Sequence, residues 1–163
     1  MWNEWHKNGQ KKLEHNFTGY GSLYTTWYEN GQKKSEGKKD NGREKKGVWT
    51  EWYENGQKKE EGKHDGREKK GVWTEWYENG QKKSEGEKNG FRPKGKWTYW
   101  HENGQIKMVG KYYEIWDKGT KTGLWLEYYE NGMKKSEKVY KNNQFKDIIL
   151  SEKYWDEKGK EKN

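Results

Sequence analysis

Cysteine is absent from the 163 residues. That excludes a disulfide framework, a thiolate metal site and a cysteine nucleophile, and it fits a reducing compartment. Aliphatic side chains are scarce: hydrophobic residues make up 26% of the chain while aromatics alone make up 17%. A core of Leu, Ile and Val is therefore excluded. Long apolar runs are missing too. The longest, Ile148-Ile149-Leu150, is far too short to cross a bilayer. The opening Met1-Trp2-Asn3-Glu4-Trp5 has no basic start followed by an apolar stretch, so no signal peptide is expected. These lacks make the cytoplasm the expected location. The single proline, Pro93, is expected in a connection between strands, where its missing N–H does no harm.

What is present is charge and aromatic rings. Charged residues reach 38%, a composition that by itself points to disorder. The 12 Trp and 12 Tyr argue against that, because each ring can bury roughly 150–250 Å². The net charge of +8 favours anionic partners at long range. The signs are nevertheless interspersed: Thr50 to Lys70 holds six acidic and six basic side chains, the pattern of a solvated face laced with opposite charges.

The chain repeats itself, which decides the fold class. Gly42–Lys59 and Gly66–Lys83 both read GREKKGVWTEWYENGQKK, and decayed copies run along the rest. An Asn-Gly pair recurs at Asn8-Gly9, Asn30-Gly31, Asn55-Gly56, Asn79-Gly80, Asn103-Gly104 and Asn131-Gly132, spaced by 22, 25, 24, 24 and 28 residues. Asn-Gly between aromatic and Thr-rich runs predicts a β-hairpin with a two-residue type I′ loop. Second turn signals follow at Asn41-Gly42, Asp65-Gly66, Asn89-Gly90 and Lys118-Gly119.

A two-residue loop at Asn55-Gly56 sets Tyr53 opposite Lys58 and Trp52 opposite Lys59. Alternation then puts Val48, Thr50 and Trp52 on one sheet face and Trp49, Glu51 and Tyr53 on the other, with equivalents such as Val72, Thr74, Trp76 and Trp73, Tyr77 in the next unit. Both faces carry aromatic ladders, and the sequence leaves open which is inside. The predicted fold is all-β: tandem β-hairpin repeats forming an elongated, twisted single-sheet solenoid. The expected division is one repeat domain over 1–163, with a half-repeat at 1–20, repeats at about 21–46, 47–70, 71–94, 95–122 and 123–146, and a C-terminal cap at 147–163 that hides the last open edge.

The unit G-x-W-T-x-W-Y-E-N-G-Q-K-K-x-E-G, seen in Gly47–Gly62, resembles the MORN repeat (membrane occupation and recognition nexus). It is most similar to the bacterial variant whose units read roughly G-x-W-x-x-Y-Y-x-N-G-Q. The resemblance covers Trp2 to Gly159. It implies an elongated array of hairpins without catalytic residues, and a role as the antitoxin component of a toxin–antitoxin module. Aliphatic residues often follow the Gln in that family. Here Ile106 and Met133 lie near that spot, whereas Lys33, Lys58 and Lys82 replace them elsewhere.

No catalytic constellation stands out. The four histidines, His6, His15, His64 and His101, lack metal-ligand spacing, and His6 and His101 occupy the repeat position of Tyr53. Glu36, Glu61 and Glu85 recur with the repeat, whereas a catalytic carboxylate pair belongs to one cleft; they read as partners of cross-strand lysines. No phosphate-binding glycine loop, nucleophile elbow or kinase signature occurs. The expectation is no enzyme and no cofactor or metal.

One stretch does not recur. Lys111–Asp117, with Tyr112, Tyr113, Ile115 and Trp116, is longer and more apolar than its counterparts, and Met108 and Val109 replace residues such as Ser84 and Glu85 just before it. It reads either as a packing patch or as a partner-binding patch made of Met108, Tyr112, Tyr113, Ile115 and Trp116, because Trp and Tyr anchors dominate interfaces. The expected function is non-enzymatic recognition of a protein partner, and the resemblance makes that partner a toxin. Two alternatives are an anionic surface, lipid head groups or nucleic acid, and carbohydrate stacked on the aromatic ladder.

Overall fold

The computed structural model describes all residues except 20, 42–43, 114–118, 144 and 163, and only the backbone of Thr18. The described residues form 14 strands and no helix. They are β1 (Trp2–Trp5), β2 (Lys11–Thr18), β3 (Gly21–Trp27), β4 (Lys33–Lys39), β5 (Lys45–Trp52), β6 (Lys58–Asp65), β7 (Glu68–Trp76), β8 (Lys82–Asn89), β9 (Arg92–Trp100), β10 (Ile106–Tyr112), β11 (Lys121–Tyr128), β12 (Lys134–Tyr140), β13 (Ile149–Trp155) and β14 (Glu161–Lys162). Each pairs antiparallel with the next, giving one open sheet in strict sequence order. At about 4.8 Å per strand step the sheet is roughly 60 Å wide. Residues 149–162 add another hairpin whose side chains are mostly exposed. Pro93 is the second residue of β9, opposite Lys88.

The Asn-Gly turns differ from the two-residue type I′ loop. Tyr53 N–H donates to Gln57 O at 2.9 Å and Gly56 N–H donates to Tyr53 O at 3.0 Å. The loop is therefore Glu54-Asn55-Gly56, a type I turn closed by a glycine at φ +85°, the three-residue alternative. That loop sets Trp52 opposite Lys58 and not Lys59, and a bulge between Glu51 and Trp52 follows at once, so that Glu51 faces Glu60. The two irregularities together return the chain to register: Lys58 lies over Trp76 and Lys59 over Tyr53. The two-residue loops are instead the second turns. Asp65 pairs with Glu68 across Gly66-Arg67, and Asn89 pairs with Arg92 across Gly90-Phe91, both glycines having φ +67°.

A single sheet normally needs a second layer to bury its apolar face. Here one row of indoles supplies it. Trp49, Trp73, Trp97 and Trp125 are 1–5% exposed and, with Tyr140, make up the buried hydrophobic core. Each ring lies flat on a glycine of the strand before it: a Cβ built on Gly37, Gly62, Gly86 or Gly110 would sit 2.1–2.3 Å from the ring. Each indole N–H donates across the strand, for example Trp49 Nε1 to Lys38 O at 2.9 Å. Lysines roof the rings from above. Lys69 Nζ is 4.0 Å from the Trp73 ring centre and Lys45 Nζ is 4.4 Å from that of Trp49. The face left open by the sequence is thus settled: Trp49 is inside and Val48, 53% exposed, is outside.

Neighbouring units are also stapled through their turns. Asn55 Oδ1 accepts from Gln57 N–H within its own turn, while Asn55 Nδ2 donates to Glu78 O of the next one. All six Asn side chains make this second bond, from Asn8 to Glu29 O through Asn131 to Glu157 O. Tyr28, Tyr53, Tyr77 and Tyr129 hydroxyls donate to the backbone oxygens of Trp52, Trp76, Trp100 and Trp155. His6 and His101 bond through Nε2 to Trp27 O and Tyr128 O in the same way, so they replace the tyrosine in its hydrogen bond as well as in its position.

Candidate binding surface of the fifth unit

On the outer face, opposite the buried indoles, most units carry a fixed polar network. Lys58 Nζ donates to Glu61 Oε2 at 2.7 Å, and Thr50 Oγ1 of the preceding strand donates to the same oxygen at 3.0 Å. Lys82, Glu85 and Thr74 repeat this arrangement, as do Lys33, Glu36 and Thr25. The lysine partner lies on the glutamate's own strand, three residues earlier; the cross-strand partner is the threonine. The lysine hydrogen bond holds the Glu61 and Glu85 carboxyls below their usual range. Each lysine also lies 5.5–5.8 Å from the ring centre of the next unit's tryptophan, Trp52, Trp76 or Trp100.

The fifth unit loses this network in one step. Ile106 stands at the place of Lys58 and Val109 at the place of Glu61. Val109 pairs with Thr98 on one side and Leu126 on the other, and Leu126 stands where earlier units have Thr50 or Thr74. Beyond it Leu124 pairs with Val139, which replaces a residue such as Lys63. Aliphatic side chains thus adjoin on three strands, β10, β11 and β12, while Glu137, opposite Leu126, keeps its bond to Lys134 at 3.1 Å. The result is a concavity of about 710 Å³, floored by Val109, Leu124 and Leu126, with Lys96, Lys111, Tyr113, Thr122 and Asn142 among the residues around it. No Asp or Glu lines it among the described residues. Leu124 remains 50% exposed, so the site is an open trough.

Of the expected partner-binding residues, Tyr112 and Tyr113 both border the trough. The Tyr112 ring also packs on the inner side, 6.2 Å from Trp97 and 4.9 Å from Trp125, with its hydroxyl 2.9 Å from that of Tyr99. Burial raises the pKa of both phenols, so this pair is a piece of core. Met108 lies against the same inner side, around a small cavity with Trp125 and Tyr140. Tyr113 belongs to the outer trough. Ile115 and Trp116 lie outside the described residues. Sequence reasoning passed over Leu124 and Leu126. The signal was available: Leu126 breaks the Thr column at Thr50, Thr74 and Thr98, and it faces Val109, which breaks the Glu column.

No group of three or more His, Cys, Asp or Glu positioned to hold a metal ion occurs among the described residues, and no helix among them is long and apolar enough to cross a membrane. The sequence model of the MORN repeat variant family matches residues 22–38, 45–65, 69–87, 93–114 and 121–142. Those segments cover more than half of the chain, and the chain therefore belongs to the MORN repeat variant family. No curated protein matches it. MORN repeats are non-catalytic scaffolds and generally act as binding modules.

Proposed function

Because the chain is a MORN repeat variant protein, we propose that it is a non-enzymatic scaffold that binds a protein partner through the outer face of its fifth and sixth hairpin units. One observation carries this reading: where the apolar trough opens, the Lys and Glu of the network give way to Ile106 and Val109 in the fifth unit and its Thr gives way to Leu126 in the sixth. Scaffold residues recur because every unit must stack on the next; a residue that serves one partner has no reason to recur. The similarity to the antitoxin-associated repeats supports a toxin as that partner and an antitoxin- or immunity-like role.

The arrangement of the lysines weighs against an anionic surface as the main ligand. Lys33, Lys58 and Lys82 are each bonded to a glutamate at 2.7 Å, and a paired ammonium gains little by moving to a phosphate. A pull-down from the source cell at two salt concentrations tests the proposal. Wild type should retain the same protein at both. Leu124→Glu should lose it by about 2 kcal/mol or more, the mark of a hot spot, with its unfolding midpoint unchanged. Trp116→Ala tests the expected anchor in the same assay. Binding that survives Leu124→Glu and disappears at high salt supports the anionic-surface reading instead.

A further inference from the structure

Resting on the protein-binding reading above, we infer that the segment seated in the fifth-unit trough is an acidic, aliphatic stretch of the partner chain: Leu, Ile or Val side chains on the floor and a carboxylate beside them over Lys96.

The floor sets the first half of that description. Val109, Leu124 and Leu126 offer no hydrogen-bond donor or acceptor in their side chains, so a polar group set on them would lose water without compensation. Val109 on β10 and Leu124 and Leu126 on β11 adjoin Val139 on β12, and the trough's volume of about 710 Å³ accommodates more than one side chain. Its openness argues for a segment of a protein. Leu124 keeps half of its surface exposed, which suits side chains projecting from another backbone better than a small ligand that must be enclosed to bind well.

The rim sets the second half. Lys96 and Lys111 border the trough, and no Asp or Glu lines it among the described residues. Several lysines elsewhere on the sheet are paired: Lys46 with Asp65, Lys88 with Glu75 and Lys94 with Glu87. Lys96 is exposed and makes no ion pair among the described residues. Lys96, without an acidic partner among the described residues and beside an apolar floor, is complementary to a partner that brings the carboxylate itself, and a basic segment is repelled. The net charge of +8 adds attraction of the same sign at long range.

The test is a selection of random twelve-residue peptides displayed on phage against the whole protein, with Ile106→Lys/Val109→Glu/Leu126→Thr as counter-target. That triple variant restores the side chains of the earlier units at all three positions and should melt no lower than wild type. Enriched peptides should combine aliphatic residues with Asp or Glu. A synthetic copy should bind wild type at least tenfold more tightly than the triple variant, and several-fold more tightly than Lys96→Glu, a surface change that leaves the floor intact. Basic or uncharged winners, or peptides that bind the triple variant equally well, overturn the inference. So does flotation on phosphatidylserine–phosphatidylcholine vesicles that depends on Val109 and Leu126, which would assign the trough to lipid. A source-cell partner that needs Leu124 while the selected peptides are basic would leave the protein-binding reading standing and remove this one.

Discussion

The central units and the outermost ones solve the same packing problem with different pairs. In the centre the pair is glycine and tryptophan: Gly62 faces Trp73, Gly86 faces Trp97, and the ring lies on the bare backbone. At the start of the sheet the same two positions hold His15 and Tyr24, stacked with centroids 4.0 Å apart and planes 28° from parallel. At the end they hold Lys138 and Glu152, with Nζ and Oε2 3.6 Å apart. The pair changes as a unit, from flat ring on glycine to ring on ring to ion pair. An indole can be buried on a single sheet only where a strand on each side and a lysine above enclose it. Trp73 has all of these and is 1% exposed. A position with few neighbours gains less from a large apolar ring, and a solvated ion pair serves there.

The largest expected effect follows directly. Trp73→Ala should cost about 3–5 kcal/mol, as full aromatic truncations do. Breaking the terminal pair by Glu152→Ala should cost less than about 1 kcal/mol, the range of exposed ion pairs. Denaturant midpoints of the two variants measure the contrast; equal losses would mean that the sheet does not weaken toward its end.

Gly62→Ala comes next. The added Cβ meets the Trp73 ring at 2.3 Å, so the ring must shift or the strands must part. Overpacking of this kind costs about 1–3 kcal/mol. In a Trp73→Ala background the added methyl has space, and the penalty should vanish. A double-mutant cycle isolates that coupling. A penalty that persists without the ring would assign the glycine to backbone conformation instead of close approach.

This glycine also marks how far the sequence could be read. It is part of the repeated S-E-G and E-E-G motifs, so its recurrence was visible, but its role was not: glycine commonly signals a turn, and here it is the floor under an aromatic ring in mid-strand. The hairpins, the strand order and the absence of helix followed from the Asn-Gly rhythm and the alternation. The loop type did not, because Asn-Gly suits both a two-residue loop and the last two places of a three-residue one. The choice depends on whether Tyr53 closes the turn, as its bond to Gln57 shows. The inner face was hidden for a related reason. Both faces carry tryptophan, and only the ring's seat, a glycine beneath Trp49 against a polar network beneath Trp52, separates core from surface. Tyr112 and Tyr113 are adjacent and equally apolar and both border the trough, yet it is the Tyr112 ring that packs against the buried indoles, which no measure of local hydrophobicity detects.

Asn79→Ala should have a smaller effect. It removes the bond from Gln81 N–H inside the turn and the bond to Glu102 O in the next turn. Two exposed hydrogen bonds contribute about 1–2 kcal/mol together. Lys158 stands at the same turn position in the last hairpin, where the turn bonds are made by Asp156 Oδ1 instead. Lys158→Ala should therefore leave the melting point nearly unchanged. A loss as large as that of Asn79→Ala would show that the staple bonds contribute nothing and that the turn residue acts through its backbone alone.

The smallest expected effect concerns the residue between two indoles. That place holds His64 between Trp49 and Trp73, Lys88 between Trp73 and Trp97, and Tyr112 between Trp97 and Trp125. His64 stands edge-on to both rings, and its buried Nδ1 has no hydrogen-bond partner. Burial, and then repulsion from Lys45 and Lys69 against a weaker pull from Glu60, lower its pKa to about 4. The unfolded chain protonates this imidazole near 6.5, so between pH 6.5 and 4 the unfolded state holds a proton that the folded state refuses. Stability attributable to His64 is then complete above pH 6.5 and declines as the pH falls through that window. The ring is only half-buried, so solvent screening reduces the effect to the order of 1 kcal/mol. His64→Tyr, which installs the residue the fifth unit carries at this place, keeps an aromatic edge between the indoles and removes the titration. Wild type should lose more of its melting temperature than His64→Tyr on going from pH 7 to pH 5, where most carboxylates remain ionised. Parallel losses in the two proteins would mean that His64 takes up its proton in the folded sheet as readily as in water, and that the space between the indoles is open to solvent.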